Sequence, residues 1–302
     1  AKALSLATKH PETFFPTNIP PPIPFVEREY FLQLNEEQKE SVHKINNAPP
    51  GIPVIITGGA GCGKTQVLVE VSLRNLVQEN TILIVSPTNS GAAKLFGDIL
   101  THVSKFEELH DRNITKISVE GSPTSPKCKN LPCYKHDSGK THKLPSKDFI
   151  RIQDLVIVTP HVALSLALMP NGIKPDLIIF DENGFTSEME TIIALSGFLQ
   201  TKFLPTIVLA GDRLQLTSSA RSIAGGHGNY DMSAMSRLLS LPEYEENQHL
   251  WCLLKRNYRT GKNILTVMKG LIYQNNLLHA NKHEGNIIVI NISSNTKRKD
   301  PE

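Results

Sequence analysis

The sequence has few cysteines and no long apolar run. Its four cysteines are scattered over 302 residues. This is too few for a disulfide framework, so we expect a reducing compartment and a cytoplasmic protein. No apolar run approaches the roughly 18 residues that a membrane-spanning helix needs. The N-terminus also lacks the basic and then apolar segments of a secretion signal. These absences exclude a disulfide-stapled secreted domain and predict a protein that does not enter a membrane.

The chain also has little excess of charge of either sign. Lys and Arg exceed Asp and Glu by three, which gives a sequence pI near 8.6. A nucleic-acid partner fits this balance, but an ordinary soluble surface explains it equally well. Hydrophobic residues make up 39% of the composition, enough to bury a sizeable core in one large domain or two ordinary ones. Composition therefore indicates a globular protein and leaves its function open.

Apolar runs and helical patterns alternate along most of the chain. Residues 1–33 are proline-rich, and we expect an extended arm or the remnant of a preceding domain. The stretch "LNEEQKESVHKI" predicts a helix capped by Asn35. Five runs rich in Ile, Val and Leu then predict strands buried on both faces: "VIIT", "NTILIV", "DLVIV", "DLIIF" and "TIVLA". This order predicts an α/β fold with a doubly wound, mostly parallel sheet, which binds ligands at the carboxyl ends of its strands.

The alternating pattern lapses at about residues 111–151. Between residues 112 and 151, nine Lys or Arg stand against three Asp or Glu. We interpret the stretch as a basic insertion in the sheet domain, whose lysines either line a nucleic-acid path or belong to a solvated loop. Its "CKNLPCYKH" has the residue types of a zinc site without the usual spacing, so zinc binding and free cysteines both stay open. The candidate zinc ligands are Cys128, Cys133, His136 and His142.

The segment "GGAGCGKT" carries the most specific signal. It matches G-x-x-x-x-G-K-[ST] and lies between the strand "VIIT" and a helical stretch, the context that gives this motif its meaning. Glycines let backbone N–H groups turn toward phosphates, Lys64 reaches the β and γ phosphates, and Thr65 offers a hydroxyl to Mg²⁺. A glycine-rich turn with an incidental lysine is the alternative. The predicted nucleotide-binding residues here are Gly58, Gly59, Ala60, Gly61, Cys62, Gly63, Lys64 and Thr65.

Two carboxylates follow the strand in "LIIFDEN". A nucleotide-binding loop needs a carboxylate at the end of a neighbouring strand to hold its metal, and Asp181 is placed to hold Mg²⁺ through water. Glu182 is placed to orient and deprotonate an attacking water, which predicts hydrolysis rather than transfer to a second substrate. Taken alone, the pair also fits the capping of a helix. The glycine-rich loop favours the catalytic interpretation.

These motifs, in this order, resemble the superfamily 1 helicases, and specifically the RNA-directed branch that includes the nonsense-mediated-decay helicase and the Armitage-like helicases of RNA silencing. The resemblance covers about residues 34–278. It rests on "LNEEQ", "GGAGCGKT", "SPTNSGAAKL", "VIVTPHVAL", "DENG", "GDRLQL" and "LLKRNYRTGKNI" with "LIYQNNL". It implies a RecA-like P-loop NTPase fold, with one such domain at residues 34–250 and the start of a second, incomplete one at 251–302.

The resemblance also implies a function and roles for residues of the ATP site. It implies an ATP-dependent RNA helicase or translocase that uses ATP and Mg²⁺. Gln38 reads the adenine in this scheme, and Tyr258 stacks on it. Gln215 senses the γ-phosphate, while Arg259 reaches that phosphate from across the cleft and acts in catalysis with Lys64.

For the nucleic acid, the resemblance implies that Thr88, Asn89 and Thr159 contact the backbone. Short hydroxyls and amides at strand ends suit phosphate contacts and read no base, so binding independent of sequence is expected. Turn residues that satisfy their own backbone are the alternative. The implied partners are single-stranded RNA rather than DNA, and proteins of an RNA-silencing or RNA-decay complex.

The sequence departs from the family in three places. It has "NYRTGK" where the family has "QYRMHP", no proline after "GDRLQL", and nothing after residue 290 that resembles motifs V and VI. Motif VI supplies an arginine to the ATP site, and an arginine supplied across a cleft is worth about three to five orders of magnitude in rate. The chain also begins at Ala1 rather than methionine, so we expect it to be a fragment. Since the arginine of motif VI is missing, we expect this fragment to bind nucleotide better than it hydrolyses it. The alternative function is a nucleotide-regulated RNA clamp or scaffold without effective turnover.

Overall fold

The computed structural model describes residues 11–23, 29–117, 133–134, 145–170, 172–199, 204–215, 232–274 and 276–280. Most of the basic insertion lies outside the described residues, together with Cys128, His136, His142 and the stretch after "GDRLQL". Within the described ranges, no cluster of three or more His, Cys, Asp or Glu side chains is arranged to hold a metal ion. None of the described helices is long and apolar enough to cross a membrane.

One parallel sheet forms the centre of the protein. Its strands are β1 (Pro53–Gly58), β2 (Ile82–Val85), β3 (Ile114–Ile117), β4 (Cys133–Tyr134), β5 (Leu155–Val158), β6 (Leu177–Phe180), β7 (Thr206–Gly211) and β8 (Trp251–Leu254). They lie in the order β4-β3-β5-β2-β6-β7-β1-β8, and every pairing is parallel. All five strands that the apolar runs predict are present, so the prediction of a RecA-like α/β fold with a doubly wound sheet is confirmed.

Helices pack in two groups against this sheet. The first group comprises α1 (Glu36–Asn46), α2 (Lys64–Val77) and α3 (Asn89–Val103). The second comprises α5 (Pro160–Ala167), α6 (Glu188–Ser196) and α7 (Ala234–Leu238). Two short helices, α4 (Lys147–Arg151) and α8 (Pro242–Glu246), complete this part of the fold. Strands β1, β2, β5 and β6 are buried along their whole length, as strands covered on both faces are.

The described chain beyond the main sheet adds one helix and a second sheet of two short strands. It contains β9 (Arg256–Asn257), α9 (Lys262–Leu271) and β10 (Leu278–His279), and β9 pairs with β10 in parallel. Strand β8 pairs with β1 and belongs to the main sheet, although the sequence placed residues 251–302 in a second domain. The division into domains therefore stays a prediction, and the pairing of β8 favours a boundary after Leu254.

Asn35 begins α1, as the sequence predicts. Its side chain accepts a hydrogen bond from the Gln38 backbone N–H (2.9 Å), and the Gln38 side chain accepts one from the Asn35 N–H (3.0 Å). This reciprocal capping box satisfies two N–H groups that the first helical turn otherwise leaves unpaired. It holds the Gln38 amide at the start of α1, beside the glycine-rich loop.

A buried ion pair fastens the N-terminal segment to α2. Glu70 and Arg74 are fully or almost fully buried and pair over 2.7 Å. Glu70 accepts hydrogen bonds from the N–H groups of Phe31 (3.2 Å) and Leu32 (2.9 Å), and Arg74 donates to the carbonyl of Glu29 (2.9 Å). A buried charge pair persists when further hydrogen bonds satisfy it, as they do here. The segment is thus held against the helix that follows the glycine-rich loop.

Candidate functional site

The carboxyl ends of neighbouring strands bring the predicted site residues to one edge of the sheet. Val85 of β2 is paired with Val158 of β5 on one side and with Phe180 of β6 on the other. The polar residues that follow these strands therefore lie side by side. The glycine-rich loop follows β1 at the same edge, two strands from β6. Ligands of parallel α/β sheets bind at such an edge.

A cavity of about 740 Å³ opens beside the glycine-rich loop, a size typical of small-molecule and cofactor sites. Predicted residues that line it are Gln38, Ala60, Gly61, Gly63, Lys64, Thr65, Glu182, Gln215, Tyr258 and Arg259. The sequence predicted Asn35 only as a helix cap and did not single out the other lining residues, Leu32, Gln33, Gln66, Val69, Lys94, Asp98 and His102. The predicted residues Gly58, Gly59, Cys62, Asp181, Thr88, Asn89 and Thr159 are not part of the lining.

Protein groups bind the carbonyl oxygens of the glycine-rich loop. Lys64, which is buried, donates from Nζ to the carbonyls of Gly58 (2.7 Å) and Gly59 (3.3 Å). The carbonyl of Ala60 accepts from the Asn257 side chain (2.6 Å), and that of Gly61 accepts from the Tyr258 N–H (3.0 Å). With its carbonyls engaged by the protein, the loop keeps its N–H groups for another acceptor.

Several N–H groups of this loop have no acceptor in the described part of the chain. They belong to Ala60, Gly61, Gly63, Lys64 and Thr65. Gly61 and Gly63 adopt φ angles of 82° and 85°, which side-chain-bearing residues rarely adopt. Consecutive N–H groups at a helix N-terminus form a concave site for an anion, and the helix dipole favours the negative charge. This geometry favours an anion-binding loop over an incidental glycine-rich turn, and the assignment of individual residues to phosphate stays a prediction.

Cys62 is the one loop position with a buried apolar character. Its side chain is 1% exposed, and burial raises the pKa of its thiol to about 11. A thiol with a raised pKa is a poor nucleophile and packs as a small hydrophobic group. The Cys62 side chain therefore packs into the hydrophobic core beneath the glycine-rich loop.

Asp181 and Glu182 follow β6 with different environments. Burial, and then the charge of Glu182, raise the pKa of Asp181 from 3.8 to about 6, against the opposing effect of Lys64. Glu182 is exposed to the cavity and adopts a φ of 49°, a conformation that costs energy for any residue other than glycine. The site of Asp181 thus disfavours the negative charge of its carboxylate, whereas Glu182 faces the cavity from a strained turn.

Replacing Asp181 by asparagine should stabilise the folded chain above pH 6. Well below pH 3.8 the carboxyl is protonated in both states, so its burial carries no charge penalty. As the pH rises to 6 the unfolded chain ionises first, so the parent loses stability relative to the variant. A shift of about two pKa units corresponds to roughly 3 kcal/mol at most, and partial exposure reduces this to about 1–3 kcal/mol. Urea unfolding of both chains at pH 4.5 and pH 8 measures it, and an equal stability difference at both pH values contradicts it.

The segment after β8 reaches back to the cavity. Tyr258 and Arg259 both line the cavity, and the Tyr258 hydroxyl accepts a hydrogen bond from Asn35 Nδ2 (2.6 Å). The Glu37 carboxylate accepts from the N–H groups of Lys255 (2.8 Å) and Arg256 (3.3 Å). Helix α1 therefore fixes the approach of this segment, and residues more than 200 positions apart in sequence meet at one end of the cavity.

A match to a family model agrees with this geometry. Residues 38–221, more than half of the chain, match the model described as AAA domain. The chain belongs to the AAA domain family. Nucleotide binding follows from that membership, whereas the residues that carry it stay a prediction. The matched residues include the glycine-rich loop, "DENG" and "GDRLQL".

Curated relatives of this AAA domain are helicases. The chain is 31% identical over 270 residues to "Putative helicase MOV-10" of Gallus gallus, and the aligned region covers 82% of this chain and 27% of that protein. It is 28% identical to "Probable helicase with zinc finger domain" of Mus musculus, over 83% of this chain and 13% of that protein. It is 25% identical to "Probable RNA helicase armi" of Drosophila melanogaster, over 82% of this chain and 23% of that protein. The resemblance to superfamily 1 helicases is thus confirmed, and the chain spans about a quarter or less of these relatives' lengths.

Thr88, Asn89 and Thr159 lie together at the edge of the AAA domain sheet. Thr88 precedes α3 and caps it by accepting from the Gly91 N–H (3.0 Å). Asn89 is the first residue of α3, and Thr159 precedes α5 without capping it through its side chain. The alternative that these residues serve their own backbone therefore holds for Thr88 and not for Thr159. Their predicted contact with nucleic acid stays a prediction.

The sequence did not predict two further sets of hydrogen bonds, which connect the AAA domain to residues that follow it. Asp212, which follows β7, is buried and accepts a hydrogen bond from the Tyr273 hydroxyl (2.6 Å). Burial and this carboxylate raise the pKa of Tyr273. Asn183 is also buried and joins the turn after β6 to Thr191 (3.0 Å) and to the Met235 N–H (3.2 Å). The only sequence signal for them was a polar residue one to three positions after a buried strand.

Proposed function

We propose that the chain is the ATP-hydrolysing core of an RNA helicase or translocase, in which hydrolysis is coupled to binding of a single strand. One observation carries the proposal. A loop with unpaired N–H groups, the carboxylate of Glu182 and the side chains of Gln215 and Arg259 all line one cavity. Thr88, Asn89 and Thr159, which are proposed to contact the nucleic acid, follow neighbouring β-strands at the same edge of the sheet. The similarity to MOV-10 and armi, which are described as helicases, supports the proposal.

The triphosphate occupies the glycine-rich loop in this proposal. The unpaired N–H groups from Ala60 to Thr65 donate to the phosphate oxygens, and the α2 dipole adds to the attraction. Lys64 Nζ, which donates to Gly58 and Gly59 carbonyls, is already at the loop and exchanges these partners for the β and γ phosphates. A charge-assisted bond to phosphate is stronger than one to a neutral carbonyl, which favours the exchange.

Thr65 and Asp181 fit a magnesium ion. Mg²⁺ in ATPases is commonly held by one or two carboxylates together with the phosphates rather than by a full cage of side chains. The raised pKa of Asp181 reflects a site that disfavours a lone negative charge, and a cation there relieves this cost. Bound Mg²⁺ neutralises charge on the phosphates.

The chain's own residues carry the remaining steps of hydrolysis. Glu182 orients a water and accepts its proton, because its carboxylate is exposed to the cavity and lies beside Asp181. Gln215, which lines the same cavity, contacts the γ-phosphate and the attacking water in this proposal. Arg259 stabilises the charge that develops on the γ-phosphate, the contribution that an arginine from a second segment makes in related phosphoryl-transfer sites.

Gln38 and Tyr258 form the base end of the site. The Gln38 amide uses one lone pair for the Asn35 N–H and one N–H for the Gly63 carbonyl (3.4 Å). A primary amide has two of each, so one acceptor and one donor are left for a ligand. This pair matches the N6 amino group and N7 of adenine. The Tyr258 ring offers a face for stacking.

ATP should bind more tightly than GTP. Guanine presents an oxygen where adenine presents its amino group, so it loses the bidentate match to Gln38. Discrimination of about 1–3 kcal/mol, or roughly fivefold to 150-fold, is expected. Replacing Gln38 by alanine should bring the two affinities together, whereas replacing Tyr258 by alanine should weaken both equally. Titration with fluorescent nucleotides measures this, and equal binding of ATP and GTP by the parent contradicts the adenine assignment.

The proposed partners follow from the resemblance to RNA-directed helicases. Single-stranded RNA is the proposed substrate, bound through Thr88, Asn89 and Thr159 with little dependence on sequence. Cytoplasmic location and association with proteins of RNA silencing or RNA decay are further proposals on the same ground. We also propose the domain division, with an arm at 1–33, a first RecA-like domain from 34 and a second one that begins after β8.

Strand displacement tests the proposed function against the clamp alternative. The substrate is an RNA duplex with a single-stranded overhang and a fluorescent label, incubated with the longest available form of the protein. Displacement is expected with ATP and Mg²⁺ and not with ADP or a non-hydrolysable analogue. A protein that binds the overhang in a nucleotide-dependent way and displaces nothing under any of these conditions is the clamp.

A further inference from the structure

Asn257 stands out in the segment that carries Tyr258 and Arg259. It is fully buried, whereas Arg256, Tyr258 and Arg259 around it are exposed. Its side chain uses both ends of the amide. Oδ1 accepts from the N–H groups of Arg259 (3.0 Å) and Thr260 (2.8 Å), and Nδ2 donates to the carbonyl of Ala60 (2.6 Å). The backbone partners fix the orientation of the amide, because two donors face one end and a carbonyl faces the other.

The nucleotide-binding loop meets this segment at two consecutive residues. Besides the Ala60 carbonyl, the Gly61 carbonyl accepts from the Tyr258 N–H (3.0 Å). A Cβ added to Gly61 would lie 2.6 Å from the Cβ of Arg259, so Gly61 packs directly against Arg259 and leaves no room for a side chain. The loop that binds phosphate and the turn that presents Arg259 are therefore held by a side-chain bond, a backbone bond and direct packing.

We propose that Asn257 is a positioning residue that fixes Arg259 relative to the phosphate-binding loop, so that the arginine reaches the γ-phosphate of a bound nucleoside triphosphate. The inference rests on the proposed function of Arg259. Oδ1 shapes the turn from 257 to 260, as an asparagine does when it accepts from N–H groups two and three residues later. Nδ2 attaches that turn to Ala60. The distance from Arg259 to the glycine-rich loop depends on both the Oδ1 and the Nδ2 hydrogen bonds of Asn257.

This role gives a physical meaning to the departure "NYRTGK". The position before the tyrosine must supply a donor and an acceptor within one short, fully buried side chain. Asparagine meets this need. A buried amide whose partners are removed leaves the carbonyl and the N–H groups unpaired, which costs more than the bonds themselves contribute. Asn257 is accordingly better explained as part of the ATP site than as a sign that the site has decayed.

The test compares affinities for a non-hydrolysable ATP analogue and for ADP, both with Mg²⁺, measured by calorimetry. Only the analogue has a γ-phosphate, so the ratio of the two affinities reports the arginine contact. Arg259→Ala should lower this ratio roughly tenfold or more, the range of a charge-assisted hydrogen bond. Asn257→Ala should lower it by a similar factor. The double variant should show no further loss, because a displaced arginine and an absent one are equivalent.

Controls separate positioning from a general loss of structure. Asn247 donates from its side chain to the carbonyl of Glu243 (2.8 Å), away from the cavity, so Asn247→Ala removes a similar bond and should leave the ratio unchanged. If Asn257→Ala does not fold, Asn257→Ser keeps an acceptor for the turn but is too short to reach Ala60 as well, and it should lower the ratio equally.

Three results overturn the proposal. The first is an unchanged ratio in a folded Asn257 variant while Arg259→Ala lowers it, which refutes the positioning role and leaves the role of Arg259 intact. The second is additive losses in the double variant, which show that the two residues act independently. The third is an unchanged ratio in Arg259→Ala itself, which refutes the proposed role of the arginine and with it any need to position it.

Discussion

Replacing Glu182 by glutamine is expected to slow ATP hydrolysis by about two to four orders of magnitude, the range for loss of a general base, while ATP binding is preserved. Glutamine has the same shape but does not accept the proton of the attacking water. Glu182 lines the cavity and makes no ion pair among the described residues, so the change leaves no buried charge unpaired. Phosphate release at saturating ATP and single-stranded RNA measures the rate.

The exposed Glu245 in α8 provides the control for this prediction. Glu245→Gln removes one carboxylate from the surface, away from the cavity, and should leave both the rate and the affinity unchanged. If Glu182→Gln retains most of the parent's rate, the carboxylate is not the base. A parallel loss of ATP affinity assigns Glu182 to binding instead.

Replacing Lys64 by alanine is expected to reduce nucleotide affinity about a hundredfold or more, since charge-assisted bonds to two phosphates are lost. Lys64 is buried and also holds the carbonyls of Gly58 and Gly59, so the loop loses part of its own support as well. Calorimetry with a non-hydrolysable ATP analogue and Mg²⁺ measures the affinity without interference from hydrolysis, and the analogue keeps both phosphates that Lys64 contacts.

Lys105 is a matched control for Lys64→Ala. It is exposed just after α3 and does not line the cavity, so Lys105→Ala changes the net charge equally and should bind the ATP analogue as the parent does. Equal affinity of the parent and of a folded Lys64→Ala chain means that the glycine-rich loop does not bind phosphate.

The regular elements of the fold were predictable from sequence because local patterns determine them. "VIIT", "DLIIF" and the other short apolar runs have no polar face, so only strands covered on both sides suit them. The Asn35 cap follows equally from local chemistry, since an asparagine before two glutamates and a glutamine three positions on forms a capping box. The order of these elements then places the glycine-rich loop and Asp181 at one sheet edge.

The contacts between distant segments were not predictable in this way. Nothing near Asn257 in the sequence indicates that its partner is Ala60, and nothing near Asp212 indicates Tyr273, 61 residues away. Glu70 and Arg74 have the spacing of an ordinary surface pair on a helix, yet residues 29–32 cover them. Such ties depend on how separate elements pack, and this is a property of the tertiary structure that spacing does not encode.

The dependence of ATP hydrolysis on single-stranded RNA tests the central claim most directly. The claim is that the cavity and the strand-end residues beside it form one site in which hydrolysis responds to nucleic acid. Hydrolysis by the parent should rise severalfold or more on addition of unstructured RNA of any sequence, and RNA should not stimulate Glu182→Gln. A rate that is the same with and without RNA, under conditions where the RNA is shown to be bound, contradicts the account.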